Sequence, residues 1–300
     1  MENSFKLDFV GVGAGHSGTT WLFECLCEHP QVVGSKPKET KFFKENFEQD
    51  SSYLASNFFP QYNPALTYGE FTPSYFYSEP VAKRIYDMFP DTKIIVCLRH
   101  PYEYIRSAYY FNKQRNLVDF KDLNEQIKTD IKNNDSAGHA LIKHASYGEQ
   151  LAPYFALFPK EQIKVVFYDD IVGQPDQVIV DLFAFLGVDN TFKPSNLNSR
   201  INLTASNKRY FAILPKLYTN TSKYLRQSTL GRMGIKLARL TGLKKLLIFI
   251  LKCNIKQKNL KPLPKQALTK EVKDAIKEML ADDQHKLKTL LGDLTIPWQW

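Results

Sequence analysis

A parallel β-sheet covered by helices on both faces, entered through a P-loop-like glycine turn, is the α/β fold this sequence predicts. Three observations carry the prediction. Strand-like apolar runs alternate with helix-compatible runs through about the first 190 residues. A turn reading Gly13-Ala14-Gly15-His16-Ser17-Gly18-Thr19-Thr20 joins the first strand to the first helix. Lys93–Leu98 is apolar without alternation, the pattern of a strand buried on both faces.

In chain order, 7–13 reads as the first strand and 19–28 as the first helix. Residues 36–41 make a poor strand, because they carry three lysines, a proline and Glu39. A short strand at 66–71 leads to a helix at 78–88, and the buried strand 93–98 to a helix at 101–112, with Pro101 in its first turn. A helix at 147–158, a strand at 163–167 and a helix at 174–186 follow, the last stopped by Gly187. Residues 225–251 are helix-compatible but interrupted by Gly231, Gly234 and Gly242, and 269–292 reads as one amphipathic helix. The length suits one domain over 1–300. Its parts are a nucleotide-binding core at 6–190, a basic and mostly helical substrate or lid segment at 191–268, and a C-terminal helix and tail at 269–300.

Composition narrows the function classes. No stretch approaches the roughly 20 apolar residues of a membrane span, and no charged-then-apolar leader opens the chain, so a cytoplasmic location is expected. Cys25, Cys27, Cys97 and Cys253 lack metal-ligand spacing, and buried thiols fit a reducing compartment. The net charge is +9, but 190–270 holds 18 of the 40 Lys and Arg and none of the 31 Asp and Glu. Such asymmetry points to an anionic partner: a charged substrate, a nucleotide or an anionic membrane touched peripherally through 200–260. A solvated basic face is the plain alternative. No nucleic-acid partner is expected.

The glycine turn gathers backbone N–H groups at the positive end of a helix dipole, a place that holds phosphate or sulfate. Gly13, Gly15 and Gly18 match the spacing of a dinucleotide fingerprint, which needs an acidic residue closing a second strand about 20 positions on. Glu39 is near that distance but not on a strand. Gly13 and Gly18 also match the spacing of an ATP loop, but Thr19 stands where that loop has lysine. An anion less charged than a triphosphate fits better. The strand 93–98 ends in Arg99, where an ATPase would carry a metal-binding aspartate. Arg99 at the strand tip and Ser107 on the next helix can converge on a second anion.

With both anchors in place the chain resembles the sulfotransferases that use 3′-phosphoadenosine 5′-phosphosulfate (PAPS), in particular their carbohydrate, Golgi-type and bacterial branches. Their phosphosulfate loop resembles 13–20 followed by Trp21-Leu22, and their 3′-phosphate motif resembles the run from Ile94 through Arg99 to Tyr109. Lys38-Glu39-Thr40-Lys41-Phe42-Phe43, Gly69-Glu70-Phe71-Thr72-Pro73-Ser74-Tyr75-Phe76, stretches between 158 and 188, and the end from Leu290 to Trp298 are similar as well. The resemblance covers about 6–190 and the last 30 residues. The chain departs from the family at His16, where most members have lysine or arginine, and at Phe71, where some heparan-type relatives have lysine.

The resemblance implies metal-independent, in-line transfer of a sulfuryl group from PAPS to a hydroxyl, less often an amine, leaving 3′,5′-adenosine bisphosphate (PAP). The acceptor is a small molecule, glycolipid or carbohydrate. It assigns Gly15, His16, Ser17, Gly18, Thr19, Thr20 and Trp21 to the 5′-phosphosulfate side, and Arg99, Ser107, Lys208 and Arg209 to the 3′-phosphate. Glu39 is the expected base, with Glu70 and His16 as rivals. Lys38 or Lys41 steadies the sulfuryl oxygens, and Lys38, Glu70, Phe71 and Tyr75 face the acceptor. Two other classes stay open: a nucleotide kinase or related phosphotransferase, and a non-catalytic anion- or membrane-binding module on the same fold.

Overall fold

A computed structural model describes residues 5–59, 61–114, 120–133, 137–198, 208–209, 255–256 and 265–299. Its centre is a five-stranded, all-parallel sheet in the order β2-β3-β1-β4-β5, built from β1 (Phe9–Gly13), β2 (Val32–Gly34), β3 (Thr67–Phe71), β4 (Lys93–Leu98) and β5 (Ile163–Phe167). β1 is central, pairing Phe9 with Gly69 of β3 and with Lys93 of β4. The expected strands 93–98 and 163–167 are found with those limits; 7–13 and 66–71 start two and one residues late. β2, only three residues long, carries no run that a periodicity argument can detect.

Alternation along the strands divides the core in two. Val10, Val12, Ile94, Val96 and Leu98 face one layer, and Phe9, Phe71, Ile95 and Cys97 the other. The second layer is closed by α1 (Thr19–Cys27) and, later in the chain, the helix Pro175–Leu186. Between β2 and β3 the chain forms α2 (Phe42–Glu45) and α3 (Ser51–Phe58), the latter capped by Asp50, whose side chain accepts from the Tyr53 N–H at 2.9 Å. The first layer is closed by α4 (Glu79–Met88), α5 (Pro101–Gln114), α6 (Leu123–Lys132), α7 (Ala137–Lys143) and α8 (Tyr147–Leu157). A short α9 (Tyr168–Gly173) precedes α10 (Pro175–Leu186), which ends as expected at Gly187, in the left-handed region at φ 82°.

The single C-terminal helix expected over 269–292 is two helices, separated from the core strands by β6 (Lys208–Arg209) and its antiparallel partner β7 (Ile255–Lys256). α11 (Lys270–Met279) and α12 (Ala281–Leu291) meet at Leu280, where φ −102° and ψ 8° leave the helical range. The break has a tertiary cause. Leu280 is buried, and Asp283 accepts from the N–H groups of Gly148 and Glu149, at 3.0 and 2.7 Å, capping α8 from a distant element. Most of 191–268, including the helix-compatible 225–251, lies outside the described residues. Among the described residues no helix is long and apolar enough to cross a membrane.

Candidate active site

Strand order places the site. The chain leaves β1 toward β2 and β3, and leaves β4 toward β5 on the other side, so a crevice opens at the carboxyl ends of β1 and β4. The glycine loop follows β1 and Arg99 follows β4. The Ala14 N–H donates to the Cys97 carbonyl at 2.7 Å, stitching the loop to the neighbouring strand.

The loop is shaped by backbone conformations that side chains disfavour. Gly13 has φ 152°, and a Cβ there would lie 2.5 Å from Cβ of Phe76. Gly18 has φ 89° and begins α1 without any side-chain cap. His16 also takes a positive φ, 63°. Thr19, Thr20 and Trp21 therefore present N–H groups that have no partner within the helix, and no acidic residue occupies the first turn. A helix start of this kind is suited to an anion. One loop donor is already used, since the Gly15 N–H donates to the Tyr77 hydroxyl at 3.0 Å. Tyr77 in turn stacks on His144 with ring centroids 4.0 Å apart. Burial holds His144 neutral, its pKa lowered to about 4, and pushes Tyr77 to about 12.

The second seat is built from side chains. Arg99 Nη1 donates to the His16 carbonyl at 3.1 Å, and the guanidinium lies 4.3 Å over the Tyr168 ring. Glu103 stands 3.6 Å from Arg99 and 2.6 Å from Arg106. Buried Ser107 receives the Lys265 ammonium at 3.4 Å. Among the described residues the buried Nε donors of Arg99 and Arg106 have no hydrogen-bond partner. Burial lowers the Lys265 pKa, and the charges of Arg99 and Arg106 add to that lowering. Three cations thus surround one carboxylate, with two idle donors, which is an arrangement for a dianion. Arg99 and Ser107 were legible in the sequence. Arg106 sits in the same motif without having been assigned, and Lys265 was missed because no local pattern connects it to α5.

The Lys-Glu segment forms the loop between β2 and α2. Ser35 Oγ donates to the Lys38 carbonyl at 2.8 Å, and Lys38 Nζ reaches Thr20 Oγ1 at 3.5 Å. Glu39 is 48% exposed and lies 4.0 Å from that ammonium. Lys41 is exposed and contributes its N–H to Thr72 Oγ1 at 3.3 Å. Thr72 donates onward to Glu70 Oε2 at 2.7 Å.

Several expected site side chains are buried in structural contacts. Glu70 is fully buried, so it meets neither acceptor nor solvent; burial lifts its pKa to about 7. Phe71 packs in the core against Phe9 and Phe23 and offers no wall to an acceptor. Tyr75 is buried, and its hydroxyl accepts from the Phe43 N–H at 3.2 Å, tying down the Lys-Glu loop. Trp21 is 6% exposed, and its indole N–H donates to the carbonyls of Asn196 and Leu197, fixing the 3₁₀ turn Ser195–Asn198. These positions pointed to a site because they flank it in sequence; Glu70 and Phe71 lie on a strand buried on both faces, Tyr75 on a 3₁₀ turn and Trp21 on the buried side of α1. Lys208 and Arg209 form β6, but their side chains lie outside the described residues. Among the described residues no group of three or more His, Cys, Asp or Glu is placed to hold a metal.

Comparison with known proteins gives the site its family. The model of the sulfotransferase domain matches residues 7–236. Membrane-associated sulfotransferase kil1 of Dictyostelium discoideum is 25% identical, covering 63% of this chain and 59% of its own. Heparan sulfate glucosamine 3-O-sulfotransferase 6 of Homo sapiens is 30% identical, covering 59% of this chain and 51% of its own. The chain thus spans between half and three-fifths of the length of these relatives. A crystal structure of a sulfotransferase from Alicyclobacillus acidocaldarius superposes with a TM-score of 0.55 at 26% identity, over 66% of this chain and 87% of that one. An uncapped glycine loop after β1, an arginine–serine anchor after β4 and a domain match over most of the chain agree: the protein belongs to the sulfotransferase family.

Proposed function

We propose that the protein transfers a sulfuryl group from PAPS to a hydroxyl, with a carbohydrate, a glycolipid or a small molecule as acceptor. The observation that carries this reading is the position of Arg99. Its guanidinium holds the glycine loop through the His16 carbonyl while belonging to the Arg106–Ser107–Lys265 cluster, so two anion seats share one residue. A nucleotide with a 5′-phosphosulfate and a 3′-phosphate has anions to fill both. The buried, partnerless Nε atoms of Arg99 and Arg106 supply donors for the second. The loop lacks the lysine a triphosphate needs, and the end of β4 carries arginine where a kinase would carry a metal-binding carboxylate. A kinase reading keeps only the Gly13–Gly18 spacing in its favour.

The chemistry follows from the residues. PAPS supplies an activated sulfuryl group. The α1 N-terminus would hold the phosphosulfate, and Arg99, Ser107 and Lys265 the 3′-phosphate. Glu39, half in water at the mouth of the crevice, takes the acceptor proton and contributes on the order of 10²–10⁴-fold. Positioning and charge neutralisation do the rest, with side-chain cations in place of a metal. The similarity to heparan sulfate sulfotransferases favours a carbohydrate acceptor. The same proposal includes 6–190 as the nucleotide-binding core, 191–268 as a substrate or lid segment with a peripheral anionic-membrane contact through 200–260, and a cytoplasmic location. Among the described residues Cys25, Cys27 and Cys97 form no disulfide, and burial raises their pKa.

Titration calorimetry with PAP tests the reading, followed by a mass-spectrometric screen of acceptors for an added sulfate. Binding of PAP well above that of 5′-AMP is expected. Equal affinity for the two nucleotides, or none for either, overturns it. Glu39→Gln is expected to keep PAP affinity and lose turnover, whereas wild-type turnover in that variant removes Glu39 as the base.

A further inference from the structure

The glycine loop has a charge problem that its own residues do not solve. Its eight residues include no lysine or arginine, and the His16 ring is packed edge-on against Phe111 at 4.8 Å and beside Tyr104 at 5.9 Å. Yet the bond that breaks in sulfuryl transfer leaves its electron pair on a phosphate oxygen beside the loop, and that developing charge needs a cation nearby.

Arg99 reaches the loop, but its Nη1 is taken by the His16 carbonyl and Glu103 stands 3.6 Å from its Nη2; one further cation arrives from elsewhere in the chain. Lys38 leaves the loop between β2 and α2 and reaches Thr20 Oγ1 in the first turn of α1. Its side chain is only 19% exposed, and its ammonium lies 6.0 Å from the centroid of the Phe23 ring. Glu39, its nearest carboxylate, is 4.0 Å away and half in solvent. A cation withdrawn from water but held by a 3.5 Å hydroxyl contact and a 4.0 Å ion pair is under-neutralised, and it faces an uncapped helix N-terminus. Both features are satisfied by one ligand, an anion seated between them. The Ser35 hydrogen bond to the Lys38 carbonyl fixes the backbone from which the side chain extends.

We propose that Lys38 is the loop's missing cation, supplied from a separate element to neutralise the sulfuryl group and the departing phosphate oxygen. The inference rests on the sulfuryl-transfer reading and assigns one residue within it. The acceptor oxygen forms the new bond to sulfur, its proton passes to Glu39, and the bond from sulfur to the phosphate breaks with its electron pair on the phosphate oxygen, next to Lys38. Base and cation are thus consecutive residues on one loop. Lys41 is assigned no such role: its side chain is exposed, where that of Lys38 is largely withdrawn from water and reaches α1.

The test uses conversion of PAPS to PAP with water as acceptor, followed by chromatography, together with calorimetry on PAP; neither needs the natural acceptor. Lys38→Met is expected to slow conversion about 10²-fold while weakening PAP less than tenfold, since removing one donor to a developing charge costs about 10²–10³-fold in rate. Adding His16→Lys to Lys38→Met is expected to restore at least tenfold, because it places an ammonium in the loop itself; a merely structural Lys38 would not be rescued this way. Lys38→Arg, which keeps the charge, is the safeguard against misfolding of the methionine variant and is expected to stay within tenfold of wild type. It should also lose any alkaline fall in rate caused by the lowered ammonium pKa. Conversion by Lys38→Met within threefold of wild type overturns the proposal, as does a double variant that binds PAP but recovers nothing. A wild-type protein that neither binds PAP nor converts PAPS overturns the functional reading itself.

Discussion

The two anion seats solve one problem in opposite ways. The glycine loop is eight consecutive residues whose donors are backbone N–H groups, aimed by positive φ angles at His16 and Gly18 and by the start of α1. The Arg99 cluster is made of side chains from the end of β4, from α5 and from the segment before α11, with three cations around Glu103. Backbone dipoles offer partial charges and suit a phosphosulfate, whose phosphate and sulfate each carry about one negative charge. Full cations in excess suit a phosphate monoester, which carries close to two. The charge each seat presents therefore matches the bound anion it is proposed to hold, Arg99 links them, and only the extra charge that develops on the leaving oxygen falls to Lys38.

Removing that link is the strongest way to break the comparison. Arg99→Ala is expected to weaken PAP on the order of 10²-fold or more, because it deletes a largely buried cation and leaves Glu103 with fewer partners. Calorimetry with 5′-AMP sharpens the point. If 5′-AMP loses as much affinity as PAP, Arg99 serves the loop alone and the division of labour is wrong.

The next effect lies under the Lys-Glu loop. Glu70 is raised from 4.5 to about 7 by burial, so the folded protein keeps a proton that the unfolded chain releases. Stability therefore falls as pH rises from about 4.5 through about 7, in total on the order of 3 kcal/mol. Glu70→Gln removes this contribution, and its urea-unfolding free energy is expected to decline less than that of wild type between pH 5 and pH 8. Parallel declines in the two proteins would show that Glu70 is ionised throughout. Gly18→Ala follows. At φ 89° alanine is strained, and its Cβ would lie 3.0 Å from Cδ1 of Ile171. A loss of about 1–2 kcal/mol in stability is expected, with PAP weakened several-fold. Unchanged PAP affinity would mean that the loop tolerates reshaping and its conformation is not what binds.

The same contrast explains what the sequence could reveal. The loop was readable because its donors, glycines and helix start are contiguous, and β4 was readable because Lys93–Leu98 is apolar throughout. Arg99 and Ser107 share one motif and were found together. Lys265 was not, because it reaches Ser107 from 158 positions away and only the fold connects them. Phe71 and Tyr75 erred the other way. They flank site residues in sequence, but strand alternation sends Phe71 into the core and a 3₁₀ turn buries Tyr75. The break at Leu280 was hidden because its cause, Asp283 capping α8, is again a contact between distant segments.

The smallest expected effect asks whether the loop binds through its donors or through its shape. Tyr77 takes the Gly15 N–H at 3.0 Å, so that donor is already occupied. Tyr77→Phe keeps the ring, and with it the stack on His144, but removes the acceptor. A neutral hydrogen bond of this kind contributes about 1 kcal/mol, which is the expected fall in unfolding free energy. For the nucleotide two consequences oppose each other: a loop N–H becomes available to an anion, and a pinned turn is loosened. PAP affinity is therefore expected to stay within about threefold of wild type by calorimetry. Binding ten times tighter would identify Tyr77 as a competitor for the loop's donors. Binding ten times weaker would show that the hydroxyl's main work is to hold the turn open, making the loop a preformed mould like the side-chain cluster and erasing the distinction between the two seats.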